Sequence, residues 1–131
     1  MSVPRIEIVT GSRHWTDAAT VASVLWDAAP DLVVHGACPT GADEIADLWC
    51  WENSVECKPF PANWDGLGLR AGPIRNGRML RAYPTARVRA FPLGGPGTRD
   101  CVAQARALGR EVFVYAPGGA LVAAYRGGVL L

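Results

Sequence analysis

Three short apolar runs, each stopping at glycine and each followed by a helical apolar stripe, constrain this chain more than any other feature. Ile6-Glu7-Ile8-Val9-Thr10 stops at Gly11-Ser12-Arg13, and Leu32-Val33-Val34-His35 stops at Gly36. Arg87-Val88-Arg89-Ala90-Phe91 runs into Leu93-Gly94-Gly95-Pro96-Gly97-Thr98. Short β-rich runs bounded by Gly and Pro read as strands. Behind them, apolar residues recur at helical spacing: Val21, Val24, Leu25 and Ala28, then Ala42, Ile45, Ala46, Trp49 and Cys50, then Val102, Ala105 and Leu108. Strands alternating with helices build βαβ units around a mostly parallel sheet. The expected fold class is α/β, a three-layer sandwich with a sheet of about five strands and a C-terminal hairpin.

The remaining segments fill that scheme. Val55 to Phe60 reads as a strand closed by Pro59 and Pro61, residues 63–72 as a glycine-bearing loop, and Pro73 to Ala82 as a helix with proline in its first turn. Glu111 to Ala116 is the fifth strand, and Leu121 to Tyr125 pairs with Val129 to Leu131 across Gly127-Gly128. Thr16 reads as a helix N-cap with Asp17 in the first turn, and Thr40 as another, with Asp43 in the capping-box position. Trp26, Trp49 and Trp51 fall on helices and are expected to pack. With 131 residues and no linker or repeat, residues 1–131 are expected to form one domain.

Composition excludes several classes. Thirteen Lys and Arg against twelve Asp and Glu leave a net charge of +1, without the basic excess of a general nucleic-acid binder. No sequence-specific nucleic acid is expected. Lys58 is the only lysine, and Arg suits planar contacts to phosphate. The four cysteines, Cys38, Cys50, Cys57 and Cys101, show neither CxxC spacing nor a histidine at ligand spacing, so no metal site is expected. Free thiols suit a reducing compartment. No apolar run approaches the roughly 20 residues of a membrane span, and no leader pattern precedes the first strand. A cytoplasmic protein that does not engage membranes is expected.

Chemistry gathers at the glycine turns. Glycine allows close backbone approach, and a helix N-terminus offers free N–H groups and partial positive charge. Together they bind phosphate. Ligand contacts are expected from Gly11, Ser12 and Arg13, from His35, Gly36, Gly41 and Asp43, and from Gly94, Gly95, Gly97 and Thr98. His35 fits a buried hydrogen-bonded residue as well as a ligand contact, and Asp43 fits a cap as well as a ribose contact. Trp64 offers a stacking face, Arg75 a fork for phosphate, and Asn76 paired donor and acceptor groups. No turn is followed by Gly-Lys-Ser/Thr, and the first is not GxGxxG, which disfavours P-loop hydrolysis and dinucleotide hydride transfer.

These motifs resemble the SLOG superfamily, which includes the LOG-type phosphoribohydrolases, and within it the small YspA/cpYpsA-related branch. The likeness rests on Thr10-Gly11-Ser12-Arg13 with Trp15, and on His35-Gly36-Ala37 with Gly41-Ala42-Asp43. It continues through Phe60-Pro61-Ala62-Asn63-Trp64, Ala71-Gly72-Pro73-Ile74-Arg75-Asn76 with Met79, and Ala90-Phe91-Pro92 with Gly94-Gly95-Pro96-Gly97-Thr98. The resemblance implies a Rossmann-like fold and a nucleotide or nucleotide-derived small molecule as partner, with no cofactor. LOG enzymes carry a Pro-Gly-Gly-x-Gly-Thr-x-x-Glu phosphate motif and an upstream Arg. Gly94, Gly95, Gly97 and Thr98 match the loop, and Arg75 falls at the Arg position. Asp100 falls near the acid, making Arg75 and Asp100 the candidate catalytic pair. The chain departs from the pattern at Leu93, inserted after Pro92, and at Cys101, where a second acid is common.

Three functions follow as expectations. The first is a nucleotide sensor or sequestering module, which needs no placed acid. The second is hydrolysis of the N-glycosidic bond of a nucleoside 5′-monophosphate, with Asp100 stabilising the oxocarbenium-like centre or activating water. The third is a protein-interaction domain with a vestigial pocket. Asp100 also fits a first-turn acid that stabilises its own helix. The apolar C-terminal segments and the dimers common among LOG relatives lead us to expect a homo-oligomer.

Overall fold

Continuous β-branched runs bury both faces of a strand, and such strands belong at the centre of a helix-covered parallel sheet. The computed structural model, which describes residues 3–131, has that architecture. Strands β1 (Ile6–Gly11), β2 (Leu32–His35), β3 (Glu56–Pro59), β4 (Arg87–Phe91) and β5 (Val112–Tyr115) pair in parallel. An antiparallel hairpin of β6 (Leu121–Arg126) and β7 (Val129–Leu130) extends the same sheet, giving the order β3-β2-β1-β4-β5-β6-β7. The connection order reverses between β1 and β4. In open α/β sheets that switch point opens a crevice at the strand C-termini.

Helices α1 (Ala18–Ala28) and α2 (Gly41–Glu52) cover one face, and α4 (Ala71–Ala82) and α5 (Pro96–Ala107) cover the other. On the first face Val21, Leu25, Ala46 and Trp49 pack on Val9, Val33 and Phe91. On the second, Met79, Leu80, Cys101 and Ala105 pack on Ile8, Val34, Val88 and Val112. Each fully buried Leu, Val or Ile contributes roughly 1.5–3 kcal/mol. The Rossmann-like three-layer arrangement and the hairpin match the expectation from the sequence.

Four local readings differ. The cap of α1 is Asp17, not Thr16: its carboxylate accepts from the Thr20 N–H at 3.1 Å and from the Gly118 N–H at 2.7 Å. Tying two segments decides in favour of Asp17. Residues 63–72 are not an open loop. Asn63 accepts from the Gly66 N–H and starts the short helix α3 (Trp64–Leu67), and a 3-10 turn, Gly68–Arg70, leads into α4 two residues before Pro73. Asp43 does not close a capping box, because its Oδ2 accepts from the Cys38 N–H at 3.2 Å. Of the helical tryptophans only Trp49 is buried; Trp26 is 62% and Trp51 84% exposed. Trp51 follows Cys50 by about 100° of helix rotation, which carries it off the buried stripe.

One polar group sits where apolar residues dominate. Glu7, fully buried in the central strand, accepts from Arg87 Nε at 2.9 Å and Arg89 Nε at 2.5 Å on the neighbouring strand. Arg89 also donates to the Tyr115 hydroxyl at 2.8 Å and lies 4.3 Å from the Phe113 ring centre. This ionic and aromatic layer links β1, β4 and β5. Removing one member of such a pair strands the other charge. Glu7→Ala is expected to lose about 3–5 kcal/mol of unfolding free energy in urea, while Arg87→Ala, whose partner keeps Arg89, loses distinctly less.

Candidate functional site

The three glycine turns meet at one sheet edge, and their surroundings differ. At the first, Ser12 is a knot. Its N–H donates to the Phe91 carbonyl at 3.0 Å, and its own carbonyl accepts from the Trp15 and Ala42 N–H groups, both at 3.2 Å. Gly11 makes this possible: a Cβ there would sit 2.5 Å from the Ala42 Cβ. Gly41, at φ +76°, lies so close to Ser12 that a Cβ would fall on the Ser12 carbonyl oxygen. Thr40 Oγ1 donates to the Arg13 carbonyl at 2.9 Å. The N-terminus of α2 is thus docked on protein and carries Asp43 and Glu44 in its first turn. The N-terminus of α1 is occupied by the Asp17 carboxylate.

The N-terminus of α5 is arranged differently. Gly95 stands at the N-cap position without a side-chain bond, Pro96 follows, and the first turn holds no acid. A Cβ on Gly94, Gly95 or Gly97 would meet nothing within 4 Å. Gly94 needs glycine for its φ of +88°, but Gly95 sits at φ −78° and Gly97 lies in a right-handed helix. Neither packing nor backbone conformation calls for glycine at positions 95 and 97. Gly94, Gly95 and Thr98 line a cleft of about 370 Å³ together with Arg99. Thr98 is 5% exposed and lies in the first turn of α5. Arg13 and Gly41 line a separate cleft of about 480 Å³ between the starts of α1 and α2.

A polar lock joins α4 to α5 and to the loops that follow β2 and β3. Arg75 Nη1 donates to the Gly36 carbonyl and, at 3.2 Å, to the Phe60 carbonyl, while its Nε donates to Asn76 Oδ1 at 2.8 Å. Gly36 leaves room for it, since a Cβ there would lie 2.5 Å from Nη1. Asn76, buried, donates from Nδ2 to the Gly97 carbonyl at 3.2 Å and to Asp100 Oδ2 at 3.0 Å. Gln104 Nε2 donates to the same carboxylate oxygen at 2.8 Å and to the Pro73 carbonyl at 2.9 Å. Asp100 therefore lies in the second turn of α5 as a bridge to α4, and not in the first turn as a dipole partner. Gln104 lies four residues after Asp100, a spacing that could have flagged the pair. Trp64 is 55% exposed and rests on Gly72 at the start of α4.

His35 is buried. Its Nδ1 accepts from the Ala37 N–H at 2.9 Å, and its Nε2 faces Asp47 Oδ1 at 2.8 Å. Cys57 Sγ donates to the same Asp47 oxygen at 3.4 Å. The three donor atoms lie within 4.8 Å of one another, a grouping that sequence spacing concealed. Burial disfavours a charge on the ring, whereas Cys57 and Asp47 favour one and push its pKa up to about 9. The Ala37 N–H occupies the lone pair that the extra proton would need. In either charge state Nε2 keeps its proton. Metal-binding histidines instead donate the other ring N–H to an acceptor, so this ring is set for a hydrogen bond to Asp47. The His35 bond holds the Asp47 carboxyl below its usual range. Burial pushes the nearby Asp43 carboxyl up, and its Oδ1 has no partner among the described residues. Burial also raises the Cys101 thiol to about 12, which keeps it protonated and inert.

Fold and edge together define a Rossmann-like α/β protein in which α5 starts uncapped and without an acid beside the switch point. A sequence profile described as the YspA, cpYpsA-related SLOG family matches residues 4–66. The Gene 61 protein of Mycobacterium phage D29 is 39% identical over 120 residues, spanning 80% of this chain and 91% of that protein. The chain belongs to the YspA, cpYpsA-related SLOG family. Among the described residues no helix is long and apolar enough to cross a membrane.

The glycines separate into two kinds, and stability should report it. Gly41→Ala is expected to cost at least about 1–3 kcal/mol, from left-handed strain alone. Gly97→Ala, at an open helical position, should be neutral or gain up to about 1 kcal/mol. Urea unfolding of the two variants checks both signs.

Proposed function

We propose that this protein binds a nucleotide or nucleotide-derived ligand through the N-terminus of α5, as a sensor or sequestering module. The observation that carries this reading is the contrast among the three turns. Glycines 11, 36 and 41 are accounted for by close protein contacts, whereas Gly95 and Gly97 are accounted for by neither packing nor φ. Backbone N–H groups at an uncapped helix start, with no acid in the turn, favour a phosphate. Family membership supports a nucleotide-related ligand, because the fold places such ligands at this edge.

In this reading Gly94, Gly95, Gly97 and Thr98 form the phosphate cradle. Arg75 and Asn76 act as positioning residues: they hold the Gly36 loop, α4 and the first turn of α5 in register. The engagement of Asp100 Oδ2 by two amide donors supports a tether between helices over a carboxylate free to stabilise a developing cation. Base release from a nucleoside 5′-monophosphate is the alternative that Asp100 would serve. Arg13, His35, Asp43 and Trp64 belong to the proposal as walls of the wider edge.

Two variants test this. Gly95→Asp supplies the missing cap, so the fold should keep or gain a few tenths of a kcal/mol while the carboxylate takes the phosphate's place. Thermal-shift screening of the wild type against nucleoside mono-, di- and triphosphates, cyclic nucleotides and ADP-ribose should find one stabilising group. A ligand at ~100 times its dissociation constant adds about 2.7 kcal/mol, and Gly95→Asp should abolish that gain. An unchanged ligand shift in Gly95→Asp would exclude α5 as the phosphate site. Asp100→Asn should leave affinity within a few-fold; loss of base release from a monophosphate in that variant, with binding intact, would establish the hydrolase instead.

A further inference from the structure

We infer that the C-terminal hairpin builds a ring-binding subsite, so that the ligand's aromatic base lies on the face of β5 and β6 alongside α5. This inference rests on the phosphate reading of α5 and specifies where the rest of the ligand goes. The cleft that opens at Gly94, Gly95 and Thr98 does not lead back across the switch point toward β1. It runs along the flank of α5 over Val102, Val114, Ala123 and Tyr125. Its polar end is the uncapped helix start, and its other end is apolar.

The topology explains why that floor is bare. Helix α5 packs on β4 and β5, and among the described residues no helix follows it. The antiparallel β6 therefore extends the sheet past the last helical cover. Ala123 sits opposite Val114 in the β5–β6 register, and this small residue gives the floor its depth. Tyr125 forms one wall. Its ring is held by the Arg106 guanidinium, 4.0 Å from the ring centre. At the polar end Arg99 projects from the same flank, and the buried Thr98 lies beside it.

The volume, about 370 Å³, lies within the roughly 300–1,000 Å³ of small-molecule sites. A mostly apolar cleft ending in a few polar groups is how such sites combine affinity with orientation. The ligand class that fits is a phosphate monoester carrying a flat aromatic ring, a nucleoside 5′-phosphate in chemical terms. An inorganic or sugar phosphate would use the polar end and leave the apolar floor empty.

Calorimetric titration with ribose 5-phosphate and with the four common ribonucleoside 5′-monophosphates separates the two halves. At least one nucleotide is expected to bind about tenfold or more tighter than ribose 5-phosphate, the gain that ring stacking and burial give. Ala123→Phe, which fills the floor, should reduce that nucleotide to the affinity of ribose 5-phosphate and leave ribose 5-phosphate unchanged. Amide spectra of the wild type supply a readout that needs no variant. Nucleotide minus sugar phosphate should move Val114, Ala123 and Tyr125, whereas movement at Arg13, Trp64 and Trp15 instead would overturn the subsite. So would retention of the nucleotide preference in Ala123→Phe. Binding of phosphates with no preference for a ring overturns this inference alone, and failure of every phosphate to bind overturns the α5 reading with it.

Discussion

Ser12 holds the glycine-turn edge of the sheet together. Through one N–H and one carbonyl it ties β1 to β4 at Phe91, to its own turn at Trp15, and to the first turn of α2 at Ala42. A backbone group cannot be substituted, so the specificity of the knot falls on its neighbours. Gly11 and Gly41 are the residues whose missing Cβ atoms let the segments approach. Once α2 is docked in this way its N-terminal partial charge is answered from within the protein. The start of α5 lies outside this knot and has no cap of its own.

Electrostatics follows the same division. Helices α1 and α2 begin beside carboxylates, Asp17 in one case and Asp43 with Glu44 in the other. Helix α5 begins with glycine, proline and glycine, and its nearest acid is turned sideways to α4. An anion entering this edge therefore meets repulsion at two helix starts and attraction at the third. The polar lock of Arg75, Asn76, Asp100 and Gln104 ties the start of α5 to α4 and holds its first turn in place.

The helical stripes and the strands were legible in the sequence because each depends on periodicity over several residues. Ala42, Ala46, Trp49 and Cys50 are buried as their spacing predicts. The hairpin was legible from Gly127-Gly128. What could not be read were contacts between residues distant in sequence. Asp17 takes the cap from Thr16 because Gly118 also needs it, and no local rule includes residue 118. Glu7 looks like the polar half of an alternating strand until Arg87 and Arg89 arrive beside it. The glycine turns of the candidate site were legible as turns. Which of them packs against protein and which faces open space depends on neighbours far along the chain, as with Gly36 against Arg75 and Gly11 against Phe91.

The pairing of Glu7 with β4 has a consequence for how the chain acquires its shape. The central strand waits for partners 80 and 82 residues further on. Loop closure over that distance is entropically costly and precedes any reward from the contact. During synthesis β1 can pair with β2, but its other edge stays unpaired, with a bare carboxylate, until residues 87–91 leave the ribosome. A lone charge directed into a would-be core disfavours collapse onto the wrong strand. The buried acid that stabilises the finished sheet thus also acts as a gatekeeper while the sheet is half built, delaying closure until a strand with two arginines at the matching register is available.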